Sequence, residues 1–155
     1  MTYYYYYQTE VGKIYIVEED NAIVNIKYKI EISNGEEQQT ALIKETCRQL
    51  IEYFDGKRKK FDIPIKLKGT SFQQKVWSAL QTIPYGEVWS YKYLAETIGS
   101  PKGYRAVGMA NNHNPISIIV PCHRVIGSDG SLVGYAGGLD RKKLLLEIEQ
   151  KNKAQ

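Results

Sequence analysis

The sequence predicts an α/β protein in two parts, and two changes of pattern along the chain support that prediction. Short aromatic and β-branched runs separated by turn residues come first and are followed by one helical stretch. From about Gly69 onward, apolar residues recur mainly at helical spacing. We therefore expect a small N-terminal domain with an antiparallel β-sheet plus one helix at residues 1–68. A mainly α C-terminal domain with a winged-helix-like helix-turn-helix would occupy residues 69–155.

The N-terminal sheet is predicted from three runs of β-forming residues: Tyr3–Tyr7, Lys13–Val17 and Ile23–Ile30. Turn signals at Gly12 and Asp20-Asn21 separate them, which favours an antiparallel meander. A tyrosine run could also stack on nucleic-acid bases, but a binding face of that kind would be interleaved with basic residues. The neighbours here are neutral or acidic, so we interpret the run as structural.

One helix is predicted from Glu37 to Phe54, because its apolar residues recur at helical spacing and Asp55-Gly56 is a typical helix end. The basic cluster Lys57–Lys60 that follows is interpreted as a solvated loop. Phe61–Leu67, broken by Pro64, is expected to be an extended connector to the second part.

Three helices are predicted at the start of the second part. Thr70-Ser71 can cap a helix that reaches Leu80, and Ser90 can cap a short helix that closes at Gly99. Ser100-Pro101 then has the N-cap and first-turn residues that favour another helix, continuing to Asn112. The last two helices form a predicted helix-turn-helix with Arg105 near the front of its second helix. Many helical domains contain such a corner without touching DNA, so the corner alone leaves DNA binding open.

The most informative motif is Pro121-Cys122-His123-Arg124-Val125. It follows Ile116–Val120, an apolar run predicted to be a buried strand that Pro121 ends. A thiol, a possible base and a permanent cation would then meet at the rim of the core. The Cys122-His123 pair alone is also compatible with a buried core cysteine, a metal site or a cysteine hydrolase. Because adjacent strand residues point to opposite faces, a thiol–imidazole contact would need a turn or a bridging water.

The chain ends with a predicted helix from Leu139 to about Gln150, which presents Leu144, Leu145 and Ile148 to a core. A glycine-rich stretch at residues 128–138 precedes it and would let the backbone approach a ligand closely. It lacks a phosphate-binding consensus with lysine, so we predict no nucleotide site and no cofactor.

Composition sets further bounds on function. The formal charge of +4 is compatible with a polyanionic partner but too small to demonstrate one. The two cysteines lie far apart in sequence, and no signal peptide or long apolar span is recognisable. We therefore expect free thiols, a cytoplasmic location and no membrane partner. The cysteines and histidines show no zinc spacing, so we expect no metal.

From about Gly69 to Gln150 the sequence resembles the O6-alkylguanine-DNA alkyltransferase family. The resemblance rests on five motifs in uninterrupted order: Gly86-Glu87-Val88-x-Ser90-Tyr91, Arg105-Ala106-Val107-Gly108, Asn114-Pro115, Pro121-Cys122-His123-Arg124-Val125 and Gly134-Tyr135-Ala136-Gly137-Gly138-Leu139. The N-terminal part resembles the family's α/β domain only in its pattern.

The resemblance implies a monomeric repair protein that acts on double-stranded DNA containing O6-alkylguanine. It would flip the base out of the duplex and move the alkyl group irreversibly to its own cysteine, with less activity on O4-alkylthymine. The implied catalytic residues are Cys122, His123, Glu149 and Tyr91. The implied DNA-binding residues are Arg105, Tyr91, Ser90, Ala106 and Asn114. The implied substrate pocket contains Val125, Tyr135, Ala136 and Gly137.

Some relatives bind a structural zinc in the N-terminal domain, but this chain lacks the ligands for one. Ala136 stands where some relatives have serine, which leaves the range of alkyl groups open. Three other functions remain as alternatives: a lesion binder without transfer, a helix-turn-helix regulator and a cysteine hydrolase. A lesion binder of this type replaces the nucleophile, and a regulator leaves Cys122-His123 unexplained.

Overall fold

The computed structural model describes residues 1–29 and 35–154. Its strands are β1 (Thr2–Thr9), β2 (Gly12–Glu19), β3 (Ala22–Lys27), β4 (Glu36–Glu37), β5 (Trp89–Ser90) and β6 (Val125–Ile126). Its α-helices are α1 (Ala41–Phe54), α2 (Ser71–Leu80), α3 (Tyr91–Thr97), α4 (Tyr104–Asn112) and α5 (Leu139–Asn152), and a 3₁₀ turn spans Cys122–Arg124. The predicted α/β class is confirmed.

The N-terminal sheet has the strand order β3-β2-β1-β4. Strands β1, β2 and β3 form the predicted antiparallel meander. The end of the predicted third strand, Ile30, lies outside the described residues. The inner face of the sheet contributes Ile14, Ile16 and Ile26 to the core, all fully buried. The tyrosine run is a strand, and Tyr3, Tyr5 and Tyr7 pack against the core.

The predicted start of the first helix was wrong. Glu36 and Glu37 pair in parallel with β1, and α1 begins only at Ala41. The hydroxyl of Thr40 accepts a hydrogen bond from the Ile43 amide at 3.1 Å, which is a typical N-cap arrangement. The threonine cap therefore sets the start of α1 at Ala41.

Helices α2 and α3 begin at the predicted caps. Thr70 and Gln73 form a reciprocal capping box, and the Ser90 hydroxyl accepts from the Tyr93 amide at 3.0 Å. The predicted opening of the next helix at Ser100-Pro101 was wrong. Ser100 to Gly103 is a turn in which the Gly103 amide donates to the Ser100 carbonyl at 2.8 Å, and α4 begins at Tyr104. The amides of Gly99 and Ser100 still donate to carbonyls at the end of α3, so the chain must turn before another helix can begin.

The predicted strand Ile116–Val120 is a buried turn with isolated bridges instead. Ile116 bridges Ile26 of β3, and the Val120 amide returns to the Ile116 carbonyl at 3.0 Å. Ile118, between them, has a φ of 75°, which no regular strand contains. The strand was predicted only from the run of apolar residues. Such a short run indicates that the segment is buried, but it does not determine the backbone conformation.

The turn is anchored to the N-terminal sheet. The Ile26 amide donates to the Pro115 carbonyl, and the Ser117 amide donates to the Ile26 carbonyl, both at 3.0 Å. One buried apolar cluster contains residues from both parts of the chain. The segment that precedes Cys122 is therefore held in place by β3 of the N-terminal sheet. Within the two described ranges, no helix has the length and apolar character needed to cross a bilayer.

Candidate active site

Cys122 opens the 3₁₀ turn, directly after Pro121. Its amide donates to the Val120 carbonyl at 2.8 Å, and the Arg124 amide donates to the Pro121 carbonyl at 3.0 Å. The thiol is almost enclosed, since the residue is 5% exposed. Burial raises the pKa of Cys122 to about 11, although a hydrogen bond from Asn114 and the charge of Lys142 act in the opposite direction. The resting sulfur is thus a protonated thiol.

His123 is completely buried beside Glu149 of α5. Its Nε2 lies 2.6 Å from Oε2 of Glu149 and 3.4 Å from the Tyr53 hydroxyl. A carboxylate can only accept here, so Nε2 carries the proton and Nδ1 keeps a free lone pair. No protein atom of the described residues bonds to that Nδ1. Burial lowers the pKa of His123 despite the nearby carboxylate, which keeps the imidazole neutral at pH 7.

Glu149 is the centre of a buried polar network. Besides His123, its two oxygens accept from the Tyr53 hydroxyl at 2.6 Å and the Gly86 amide at 3.0 Å. Arg124 donates through Nε at 2.8 Å and through Nη2 at 3.1 Å. Burial by itself would raise the pKa of Glu149, but His123 and Arg124 outweigh it and hold the pKa well below its ordinary value. The carboxylate is therefore ionised and fully paired.

Arg124 connects this network to the preceding helix. Its Nη1 donates to the Ile83 carbonyl at 2.7 Å, beyond the end of α2. Arg124 therefore donates to a backbone carbonyl as well as to the carboxylate of Glu149. Arg124 and Glu149 also form an ion pair, and their opposite charges compensate each other in a buried site.

The glycine-rich loop before α5 lies against the same region. Lys142, fully buried on α5, donates to the carbonyls of Val125 at 2.5 Å, Val133 at 2.8 Å and Gly134 at 3.1 Å. Burial lowers the pKa of Lys142 to about 8. The Tyr91 hydroxyl donates to the Val133 carbonyl at 2.9 Å. One ammonium and one phenol thus join the loop to β6 and to the start of α3.

Asn114 and Asn111 support the turn from the other side. Asn114 Nδ2 donates to the Val120 carbonyl at 2.7 Å, and its Oδ1 accepts from the Ile116 amide at 3.0 Å. Asn111 Nδ2 lies 3.4 Å from the Cys122 carbonyl. Asn114 therefore closes the buried turn, while Asn111 connects the end of α4 to the cysteine.

Of the predicted DNA-binding residues, Asn114 lies in the buried turn before Cys122, whereas the others lie on or beside α3 and α4. Arg105 and Ala106 are exposed on α4, whereas Val107 and Ala110 of the same helix are buried. Ser90 caps α3, and Tyr91 begins it. Of the predicted pocket residues, Tyr135 and Gly137 are partly buried and Ala136 is exposed, while Val125 is fully buried. The buried network, to which Tyr53 of α1 also belongs, and the exposed face of α4 are two separate features of the structure.

The chain matches two family models over almost its full length. The model described as "6-O-methylguanine DNA methyltransferase, DNA binding domain" covers residues 71–151. The model described as "6-O-methylguanine DNA methyltransferase, ribonuclease-like domain" covers residues 2–67. The chain belongs to the 6-O-methylguanine DNA methyltransferase family.

Named relatives of this family are similar along the whole chain. A methylated-DNA–protein-cysteine methyltransferase from Methanosarcina barkeri is 46% identical over 155 residues, with 97% of this chain and 98% of the relative covered. A constitutive methylated-DNA–protein-cysteine methyltransferase from Bacillus subtilis is 46% identical over 159 residues, with 97% and 96% covered. The crystal structure of Mycobacterium tuberculosis OGT in complex with DNA has a TM-score of 0.89 at 42% identity, with 97% of this chain and 94% of that chain covered.

Three residues around the site were not predicted from the sequence: Lys142, Tyr53 and Tyr28. Lys142 had a recognisable signal, because it lies three residues before Leu145 and seven before Glu149, on one face of α5. A lysine on a buried helical face must find acceptors. Tyr53 and Tyr28 come from the N-terminal part, and no sequence motif joins them to Cys122. In the described ranges, no group of three or more metal-binding side chains comes together.

Proposed function

We propose that this chain is a methylated-DNA–protein-cysteine methyltransferase that moves an alkyl group from O6 of guanine in duplex DNA to Cys122. The observation that carries the proposal is the contact of 2.6 Å between Nε2 of His123 and Oε2 of Glu149, which assigns the tautomer of the imidazole. Because Glu149 holds the proton on Nε2, Nδ1 of the neutral imidazole keeps a free lone pair, and the preceding residue in the chain bears the thiol. The names of the similar proteins support the same activity.

The thiol needs such a base. With a pKa of about 11, roughly one Cys122 thiol in ten thousand would be ionised at pH 7. We propose that a water carries the thiol proton to Nδ1 of His123, while Glu149 stabilises the resulting imidazolium. The objection that neighbouring strand residues point to opposite faces does not apply, because Cys122 and His123 lie in a 3₁₀ turn.

The transfer is then a direct displacement. The sulfur forms a bond to the alkyl carbon as the bond from that carbon to O6 breaks, and guanine keeps the electron pair. The leaving guanine is stabilised by hydrogen bonds, for which Tyr91 and the Ala136 amide are the proposed donors. The product is a thioether, which cellular thiols do not reverse as they reverse a disulfide. We therefore propose one transfer per molecule.

Access to O6 requires base flipping, because the alkylated atom lies inside the duplex stack. We propose that α3, the turn at Ile98–Gly103 and α4 act as the DNA-binding helix-turn-helix, with Arg105 filling the space that the base leaves. A guanidinium suits that position because it is planar and always charged. Ser90, Ala106 and Asn114 complete the proposed DNA-binding set, and Val125, Tyr135, Ala136 and Gly137 the proposed pocket.

We further propose that residues 1–68 and 69–155 are the two domains and that a monomer suffices for the reaction. O4-alkylthymine would be a poorer substrate. A reducing compartment such as the cytoplasm suits the mechanism, because Cys122 and Cys47 are both unpaired thiols.

The proposal is tested with a duplex that carries radiolabelled O6-methylguanine. We expect label on the protein up to one equivalent, lost in Cys122→Ala and retained in the matched variant Cys47→Ala. Repeated turnover would point to a hydrolase. Tight binding of the lesion without label on the protein would point to a lesion binder, and binding without preference for the lesion to a regulator.

A further inference from the structure

The loop at Gly134–Gly138 is attached to the N-terminal part of the chain through Tyr28. This residue directly follows β3, and its hydroxyl lies 2.7 Å from the hydroxyl of Tyr135. The two rings meet edge to face, with centroids 5.9 Å apart and planes at 61°. A residue of the proposed substrate pocket is therefore positioned by a side chain more than one hundred residues earlier in sequence.

Arg141 provides a second attachment of the same loop. Its Nη1 donates to the Gly137 carbonyl at 3.0 Å, while its Nε donates to the Val11 carbonyl at 2.7 Å. The guanidinium carbon also lies 4.6 Å from the centroid of the Tyr28 ring. We call Tyr28, Tyr135 and Arg141 together the loop latch.

Gly137 allows the loop latch to close. A Cβ atom built at this glycine would lie 2.4 Å from two ring carbons of Tyr28, a distance at which the ring or the loop must move. The backbone of the loop therefore packs directly on the Tyr28 ring. Glycine is therefore required at position 137 because of this close contact, and not because of an unusual backbone angle.

Tyr28 and Tyr135 of the loop latch pack against the buried apolar cluster that contains Cys122. Burial raises the pKa of both Tyr28 and Tyr135 well above the ordinary tyrosine value, and the charge of an ionised Cys122 raises both further. This agrees with the packing of both rings against the cluster that contains Cys122, because the interaction between two charges weakens with distance.

We propose that Tyr28 is a specificity-determining residue, which holds Tyr135 over Cys122 and so limits the size of the alkyl group that reaches the sulfur. This inference rests on the alkyl transfer proposed above. Tyr28→Phe keeps the ring that packs on Gly137 but removes the hydroxyl that holds Tyr135. In this variant Tyr135 can move. A methyl group would then be held less well next to the sulfur, whereas a large alkyl group would have more room in the pocket. One hydrogen bond of ordinary strength corresponds to roughly a fivefold change in rate.

The first experiment compares single-turnover rate constants for duplexes with O6-methylguanine and O6-benzylguanine, all in a Cys47→Ala background. We expect Tyr28→Phe to raise the ratio of the benzyl to the methyl rate constant about fivefold, from the hydrogen bond that it removes. Tyr15→Phe is the matched control, because Tyr15 loses a hydroxyl on the opposite face of the same sheet, next to Lys13. An unchanged ratio in Tyr28→Phe, or an equal change in Tyr15→Phe, overturns the proposal.

The second experiment needs no DNA. The rate at which iodoacetamide alkylates Cys122 should rise in Tyr28→Phe by a similar factor, with Cys122→Ala as the blank. Tyr135→Phe and the double variant should show the same rise as Tyr28→Phe, since each removes the same hydrogen bond. Additive rises would show that the two hydroxyls act independently and would overturn the loop latch.

The two experiments separate the two proposals. If the wild-type protein transfers no label from DNA, the proposed function fails, and the iodoacetamide rates then decide whether the loop latch covers Cys122. If transfer proceeds but the ratio does not respond to Tyr28→Phe, the role of Tyr28 fails and the proposed function stands. Circular dichroism and thermal unfolding establish that each variant is folded.

Discussion

Nε2 of His123 lies 2.6 Å from Oε2 of Glu149, and both side chains are almost completely buried. This contact fixes which imidazole nitrogen carries the proton. Arg124 compensates the charge of the carboxylate, so Glu149 stays ionised and continues to accept. The consequence is an uncharged imidazole with its lone pair on Nδ1, the protonation state that a general base requires.

Glu149→Gln is expected to slow alkyl transfer to Cys122 by about a hundredfold, because an amide can donate to His123 and favour the wrong tautomer. It should also lower the free energy of unfolding by about 3 kcal/mol, since Arg124 loses a buried partner. Single-turnover kinetics and urea unfolding measure the two effects. Glu147→Gln is the control on the same helix, because Glu147 is exposed. Equal rates for the two variants would contradict the proposed relay.

Acid is expected to destabilise the protein in two stages. The pKa of His123 is lower in the folded protein than its ordinary 6.5, so the unfolded chain binds more protons as the pH falls below that value. The free energy of unfolding should therefore begin to fall below about pH 6.5. Glu149 also has a lowered pKa, and its contribution is present above the ordinary 4.5 and lost as the pH falls further.

Urea unfolding at a series of pH values between about 7.5 and 2 measures this dependence. In His123→Gln the first stage should disappear while the second remains. A stability that does not change between neutral pH and about pH 5 would contradict the buried neutral state of His123.

The local chemistry of this site was predictable from sequence because it depends on short motifs. Thr70 and Ser90 are N-caps, and capping depends on a side chain and an amide three residues later. Cys122 and His123 are neighbours in the chain, so their proximity needed no fold. Glu149 was placed by resemblance, and the structure brings it to His123 across the interior.

The remaining features depend on contacts that no local pattern encodes. Ile116–Val120 has the composition of a strand, but the hydrogen bond from the Val120 amide back to the Ile116 carbonyl closes it into a turn. The short pair Trp89–Ser90 and Val125–Ile126 forms a parallel ladder between segments with too few residues to show alternation. Tyr28 meets Tyr135 only because β3 ends beside the loop, which is a property of the tertiary structure.

Lys142→Met is expected to loosen the loop before α5. The substitution keeps the length of the side chain but leaves the carbonyls of Val125, Val133 and Gly134 without their shared donor. We expect the free energy of unfolding to fall by about 1–3 kcal/mol and the transfer rate by about tenfold. Lys143→Met is the control, because Lys143 is exposed on the same helix. If the two variants behave alike in urea unfolding and single-turnover transfer, Lys142 does not hold the loop.

Arg105→Ala is expected to weaken DNA binding without affecting folding. Arg105 is exposed on α4, so its loss should change the free energy of unfolding by no more than about 0.5 kcal/mol. If the guanidinium fills the stack that the flipped base leaves, affinity for lesion-containing duplex should fall, with transfer slowing by about tenfold or more. Fluorescence anisotropy at several salt concentrations measures the affinity, and Lys44→Ala on the exposed side of α1 is the control for loss of one positive charge. An Arg105→Ala protein that binds and repairs the duplex as well as Lys44→Ala would show that α4 does not face the DNA through this residue.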